Sequence, residues 1–219
     1  IRTLNAAGDT TVAGVVQYQD ADGFATQEIL TTADATLTAR GNITADATGG
    51  NPGTVTADTF TVKTLLDAGA GVALDNANDV NTLNIKVRTA DDSAIAGETT
   101  TPTGTIAFTD TDGFVVSGIE TGGTTVLTAG DAVTQTGIIN SAKLGLSGSG
   151  AFRLNSASSG VPINQVSTFA SDSTGNLDFT TNLALTIGVV NTTGITTDGA
   201  SVTIAAPSIN STGVTIDTS

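Results

Sequence analysis

Four residue types that carry much of the chemistry of enzymes and metal sites are missing from this chain. Histidine, cysteine, methionine and tryptophan are all absent from its 219 residues. Without histidine and cysteine, the chain has no usual general base near neutral pH, no nucleophilic thiol and no metal site built on imidazole or thiolate. Any functional site must therefore use carboxylates, hydroxyls, amides or backbone groups.

Basic residues are also scarce. The chain has 21 acidic and 7 basic residues, which give a formal net charge of −14. The basic residues are scattered singly, so no basic patch is available to neutralise phosphates, and nucleic acid is a poor partner. They are Arg2, Arg40, Lys63, Lys86, Arg88, Lys143 and Arg153.

The lack of cysteine has two interpretations. An extracellular protein without disulfides must be stabilised by repetition or backbone pairing, whereas a cytosolic protein can lack cysteine by chance. A lysine-poor composition rich in Thr, Asn, Gly and Asp favours an extracellular or cell-surface location on a bacterium. No apolar run approaches the roughly 20 residues that span a membrane, and no signal peptide is recognisable. We expect the chain to be a piece of a longer protein.

Threonine and glycine dominate what is present, with 43 and 26 residues respectively. Threonine, valine and isoleucine favour β-strands. No segment combines a 3.6-residue apolar period with helix caps. The composition therefore predicts an all-β protein.

Internal similarity indicates a repeat protein. Three pairs of segments match: LTARGNIT (37–44) with LTAGDAVT (127–134), TVLTAGDAVTQTG (125–137) with SVTIAAPSINSTG (201–213), and GAGVALDN (69–76) with GSGAFRLN (148–155). We predict a single elongated segment over 1–219. Its long units span roughly 18–105 and 106–176, with a third from 177, and the insertion GETTTPTGT (97–105) is predicted to loop out on one face.

A shorter unit recurs inside the long one. It has an apolar residue, a gap of small or acidic residues, and a second apolar residue six or seven positions later. We interpret five such segments as one recurring corner between strands: YQDADGF (18–24), LDNANDV (74–80), FTDTDGF (108–114), LNSASSGV (154–161) and FTTNLAL (179–185).

These patterns favour a right-handed parallel β-helix, a β-solenoid in which each coil buries its inward residues against its neighbours. At roughly 20 residues per coil the chain would make about ten coils, and a rod on the order of 50 Å long. A β-sandwich is the alternative, but it gives no reason for the same corner to recur.

The units resemble the filamentous-haemagglutinin-type repeat regions of large bacterial surface and secreted proteins. The resemblance is carried by LDNANDVNTLNI (74–85), FTDTDGFVVSGI (108–119) and the Leu-x-Leu and Thr-x-Thr strands between them. It implies a long extracellular shaft that displays or forms an adhesive or structural filament. It implies no reaction and supplies no binding residues.

The acidic pair in YQDADGF invites comparison with a calcium loop, which needs oxygen ligands at positions 1, 3, 5 and 12 and glycine at 6. If Asp20 and Asp22 take positions 3 and 5, Gly23 falls at 6, but Tyr18 and Ile29 fall at 1 and 12. In the second copy, Phe108 and Ile119 take those two places. We therefore predict a turn in which Asp bonds nearby backbone and Gly adopts a positive φ. Weak calcium binding at stacked acidic corners, or at Asp91 and Asp92, stays open.

Three other functions were weighed against the residues. A carbohydrate-active β-helix enzyme needs two carboxylates across a cleft, together with aromatic platforms and cations that are scarce here. Ice binding needs aligned Thr-x-Thr pairs, but those at 36/38, 54/56, 59/61, 101/103/105, 109/111 and 134/136 are irregularly spaced. N-glycan acceptor patterns at Asn42, Asn191 and Asn210 are expected by chance in such a chain.

The function predicted from sequence is a structural or adhesive extracellular filament or surface-layer segment. We expect no catalytic, cofactor-binding or metal-binding residues. Expected partners are further copies of the chain, and a host-cell or carbohydrate surface.

Overall fold

The computed structural model describes residues 1–4, 11–46, 48, 52–93, 102–155 and 163–219. Within these residues the chain forms nineteen β-strands and no α-helix. The strands are β1 Val16–Asp20, β2 Phe24–Thr26, β3 Glu28–Leu30, β4 Ala35–Ala39, β5 Ile43–Ala45, β6 Thr54–Leu65, β7 Val72–Arg88, β8 Ile106–Asp110, β9 Val115–Ala129, β10 Val133–Gln135, β11 Ile139–Gly148, β12 Phe152–Leu154, β13 Gln165–Ser173, β14 Leu177–Thr180, β15 Leu185–Ile187, β16 Ile195–Thr196, β17 Val202–Ala205, β18 Ile209–Asn210 and β19 Ile216–Asp217.

The strands stack in columns, and every pairing between named strands is parallel. The first column runs through β1, β4, β6, β7, β9, β10, β12, β14 and β17. The second column runs through β2, β5, β7, β8, β9, β11, β13, β16 and β19. The predicted β-solenoid is therefore confirmed. The β-sandwich alternative is wrong, because it requires antiparallel sheets.

The solenoid has about eight turns, fewer than the ten expected, because several coils are longer than 20 residues. Val16 pairs with Ala35, a step of 19 residues. By contrast, Val72 pairs with Ile106, a step of 34 residues that includes the predicted insertion. Of that insertion, residues 97–101 lie outside the described part of the chain. At the usual spacing of paired strands, eight turns span on the order of 40 Å.

The core consists of inward side chains stacked along the columns. Strand alternation puts every second residue inside, as in β4, where Ala35, Leu37 and Ala39 are buried. One stack follows the register through Phe24, Ile43, Val72, Ile106, Thr125, Leu144, Phe169 and Ile187. Another follows Tyr18, Leu37, Val62, Ile85, Ile119 and Ile139. Stacked aromatic rings add to the core, with Phe169 and Phe179 centroids 4.7 Å apart.

The five short segments do not lie at a single corner, so that interpretation was wrong. Tyr18 belongs to the first column and pairs with Leu37. Phe108 belongs to the second column and pairs with Leu74 and Leu127. The local unit is nevertheless reproduced, because Tyr18–Leu37 and Phe108–Leu127 are both steps of 19 residues. Most of LNSASSGV, residues 156–161, falls outside the described residues.

No helix of a length and hydrophobicity suited to crossing a bilayer occurs in the described residues.

Candidate functional site

The acidic corner after β1 is a turn closed by its own side chains. The Asp20 carboxylate accepts the Asp22 backbone N–H at 2.8 Å through Oδ1 and the Tyr18 hydroxyl at 3.1 Å through Oδ2. The hydrogen bond to Asp20 raises the pKa of Tyr18, so the phenol stays neutral. Aspartate closing a turn onto nearby backbone is the arrangement that the sequence predicted.

The corner after β8 has the same local bond but a different environment. The Asp110 Oδ1 atom accepts the Asp112 backbone N–H at 3.2 Å, and Oδ2 accepts the Val80 backbone N–H at 3.1 Å from the coil before. Asp110 is 2 % exposed. Burial, with a smaller contribution from the neighbouring Asp112 carboxyl, raises the pKa of Asp110 to about 7. A buried carboxyl without a cation partner is the most unusual ionisable group in the described structure.

The glycines of these corners are needed for close approach and not for a positive φ, which corrects the prediction. Neither Gly23 nor Gly113 has a positive φ. A Cβ atom on Gly23 would lie 2.5 Å from the carbonyl oxygen of Asn42, and one on Gly113 would lie 2.1 Å from that of Ala132. Each acidic corner therefore packs directly on the corner of the next coil.

The remaining ligand positions of a calcium loop point into the core. Ile29 and Ile119, at position 12 of the two copies, are 2 % and 1 % exposed. Asp91 accepts hydrogen bonds from Thr89 and Ser93, while Asp92 forms a 2.7 Å ion pair with Lys63. Among the described residues, no group of three or more acidic side chains is placed to hold a metal ion.

Two buried asparagines, which sequence reasoning did not single out, bond across three coils each. The Asn78 Oδ1 atom accepts the Val55 N–H at 2.8 Å, and Nδ2 donates to the carbonyls of Leu74, Asn76 and Thr109 at 2.8 to 2.9 Å. Both residues are fully buried. Asn164 does the same with the Ile139 N–H, the Gln135 side chain and the carbonyls of Leu154 and Thr180. These amides satisfy backbone groups where strands change direction.

Strand alternation is the signal that could have found these buried polar residues. Asn78 shares its parity with the inward Leu74 and Val80, and Asp110 shares its parity with Ile106 and Phe108. The period-2 rule therefore places both polar side chains inside.

A cleft at the N-terminal end of the solenoid holds the acids and aromatics expected of a sugar-cleaving site. It is lined by Ile1, Tyr18, Phe24, Ala25, Thr26, Gln27, Glu28, Ile29, Leu37 and Asp46. Glycoside hydrolysis needs one carboxyl that is protonated near neutral pH. Glu28 instead accepts two hydrogen bonds from the Arg2 guanidinium. Hydrogen bonds from Thr48 lower the pKa of Asp46. The two acids of this cleft therefore do not form an acid and base pair.

A polar groove lies on the outer face where β7, β9 and β11 meet. Its lining residues are Lys86, Arg88, Ser117, Gly118, Ile119, Glu120, Ile138, Asn140 and Gln165. Arg88 and Glu120 form an ion pair at 2.6 Å, and their side chains are 15 % and 14 % exposed. Glu120 is the single acid among the lining residues, so the groove offers ion-pair and amide hydrogen bonding without a carboxylate pair.

The Thr-x-Thr pairs do not form the regular array that ice binding requires. Thr36 and Thr38 pair with Thr61 and Lys63 in the next coil, and Thr54 and Thr56 pair with Glu28 and Leu30. In the paired strands that the structure describes, no Thr-x-Thr pair stacks on another. Thr109, Thr128 and Ser147 form one rank of hydroxyls. The three glycan-acceptor asparagines, Asn42, Asn191 and Asn210, are exposed, and their modification stays a prediction.

Comparison with known proteins gave no match to a protein-family model, to a curated protein or to a solved structure.

Proposed function

We propose that this chain is a segment of a structural shaft, the β-solenoid formed by β1 to β19, in an extracellular filament or surface layer of the filamentous-haemagglutinin type. In this proposal it has no catalytic role. It associates with further copies of itself, and any adhesive contact with a host-cell or carbohydrate surface uses its outer faces.

The observation that carries this proposal is the use of polar residues inside the fold. Asn78 and Asn164 each join three coils, and Asp110 joins its coil to β7. Side chains that reagents or ligands would need are thus committed to holding coils together. Hydrogen bonds that run along the axis resist extension, which is what a shaft requires.

The exterior supports the same role. A net charge of −14 keeps a rod soluble and opposes unspecific sideways association. An adhesive contact would find its hydrogen-bonding groups in the groove of Lys86, Asn140 and Gln165.

Electron microscopy of the native assembly tests the proposal. We expect filaments or a lattice whose thinnest element matches the solenoid. Isolated particles at high protein concentration would contradict it. Release of reducing sugar from a panel of acidic and neutral polysaccharides would contradict the absence of catalysis.

A further inference from the structure

We propose that the two ends of the solenoid are complementary faces, so that the last coil of one copy stacks on the first coil of a second copy in the parallel register that joins coils within the chain. This inference rests on the proposed self-association and specifies the surfaces that carry it.

Both ends present strand edges that are paired on one side. At the N-terminal end, β1 pairs with β4 and β2 pairs with β5. At the C-terminal end, β17, β18 and β19 pair with β14, β15 and β16. The structure shows no second strand partner for these five strands among the described residues. Their outer N–H and C=O groups are a template for a further coil. The edge of β3 differs, because Arg2 bridges to Leu30 there.

The core stacks also reach both ends without a polar cap. Tyr18 is 39 % exposed, although Leu37 beneath it is fully buried. At the other end, Ile209 and Ile216 are each 48 % exposed, while Ile195 next to Ile216 is fully buried. Apolar side chains that continue a buried stack are exposed because nothing covers them in the single copy.

The columns determine the occupant and its direction. Both β1 and β17 belong to the first column, and both β2 and β19 belong to the second, so the two ends expose opposite edges of the same columns. A second copy placed in the same orientation extends both columns at once with parallel strands. A reversed copy would meet the end with antiparallel strands and lose this continuity. The coil-to-coil packing inside the chain is therefore the interface that the ends extend.

Charge modulates this contact. Asp20 and Asp22 lie at the first end, and Asp217 lies at the last. Like charges meet when the ends stack, so the association should strengthen as salt screens them.

Cysteine pairs test the register directly, because the native chain has no cysteine. Following the first column places Ile204 in the line of Val16, and thus Ala205 opposite Gln17. Paired strands lie about 4.8 Å apart, within the range for a disulfide. Mixing Gln17→Cys with Ala205→Cys under oxidation should give a mixed disulfide dimer. A disulfide dimer from Gln17→Cys alone would show head-to-head contact and overturn the inference.

The two proposals fail in different ways in this experiment. Assemblies that form without a Gln17–Ala205 disulfide would overturn the end-face inference and leave the structural shaft intact. A protein that stays monomeric at high concentration and high salt, without disulfide capture, would overturn both.

A matched pair of charge variants gives a second readout. Ile216→Glu places a charge in the end face, and Leu66→Glu places one at a similarly exposed apolar position, 39 % exposed, between β6 and β7. Sedimentation velocity should show an association constant lowered about tenfold or more for Ile216→Glu and unchanged for Leu66→Glu. Equal loss in both variants, or no loss in either, would overturn the end-face contact. Circular dichroism checks that both variants are folded.

Discussion

Ionisation of Asp110 should make the solenoid less stable as the pH rises toward neutrality. This carboxyl is buried where β8 meets β7, and the acidic groups around it are Asp79, Asp112 and Asp131. No basic side chain forms an ion pair with it in the described structure. Replacing it in Asp110→Asn removes the charge with almost no change of shape.

The sign and size follow from linkage. The pKa of Asp110 is about 7 in the folded protein, against an ordinary value of 3.8. Because the folded pKa is raised, the stabilising contribution of the protonated form is complete below about pH 4 and is lost as the pH rises through 7. One pKa unit is worth about 1.4 kcal/mol, so the loss amounts to at most about 4 kcal/mol in the free energy of unfolding.

Asparagine should retain part of the local bonding. Its amide oxygen can accept the Val80 N–H, and the Cα partner of Asp110 in β7 is already an asparagine, Asn78. One N–H loses its acceptor, which costs about 1 kcal/mol. We therefore expect Asp110→Asn to be about 1 to 3 kcal/mol more stable than the native protein at pH 8, and equal or less stable at pH 5.

Urea unfolding at pH 5, 6, 7 and 8 measures this difference. Asp79→Asn is the matched control, since it removes the same charge from an exposed site nearby and should change the free energy of unfolding by less than about 0.5 kcal/mol. If the native protein and Asp110→Asn differ by the same amount at pH 5 and pH 8, the buried carboxyl does not titrate in this range and the reasoning is refuted.

Three further predictions use the same unfolding assay. Thr125 is fully buried and its hydroxyl has no hydrogen-bond partner, so Thr125→Val should stabilise the protein by about 1 kcal/mol; unchanged or lower stability would show that the hydroxyl is satisfied. Asn78→Ala removes four hydrogen bonds and should cost about 3 kcal/mol or more, while Asn81→Ala on the exposed face should cost less than about 0.5 kcal/mol; equal losses would refute the role of the internal amide. Gly113→Ala puts a Cβ atom 2.1 Å from a carbonyl oxygen and should cost about 2 kcal/mol or more, whereas Gly118→Ala meets its nearest atom at 3.5 Å and should be nearly neutral.

The fold class was predictable because short-range pattern and repetition agree. Strands such as β4 alternate small or apolar residues with threonine, and the same pattern returns with each coil. The number of turns was overestimated because insertions between strands have the same Thr- and Gly-rich composition as the strands themselves. Composition alone thus does not separate the residues between β7 and β8 from a coil.

The buried polar groups were missed for a different reason. The segment LDNANDV offers two aspartates and two asparagines, and their chemistry alone does not say which faces inward. Alternation from Leu74 to Val80 selects Asn76 and Asn78, and of these Asn78 is fully buried. An amide fits there because it both donates and accepts, whereas an ionised aspartate only accepts. Asp110 occupies the corresponding place one coil later, and its raised pKa is the consequence of placing a carboxyl there.

The rotation of the repeat around the solenoid bears on function as well as on fold. YQDADGF and FTDTDGF each build a 19-residue coil with a glycine packed on the next corner, because these local contacts depend on the segment itself. Their place around the axis depends on the length of the coils between them, and the 34-residue step from β7 to β8 moves the second copy into another column. The outward residues of the repeat therefore point in different directions in successive copies. Since a ligand that recognises a repeated surface needs equivalent residues in line, such a repeat favours a load-bearing shaft over a periodic binding face.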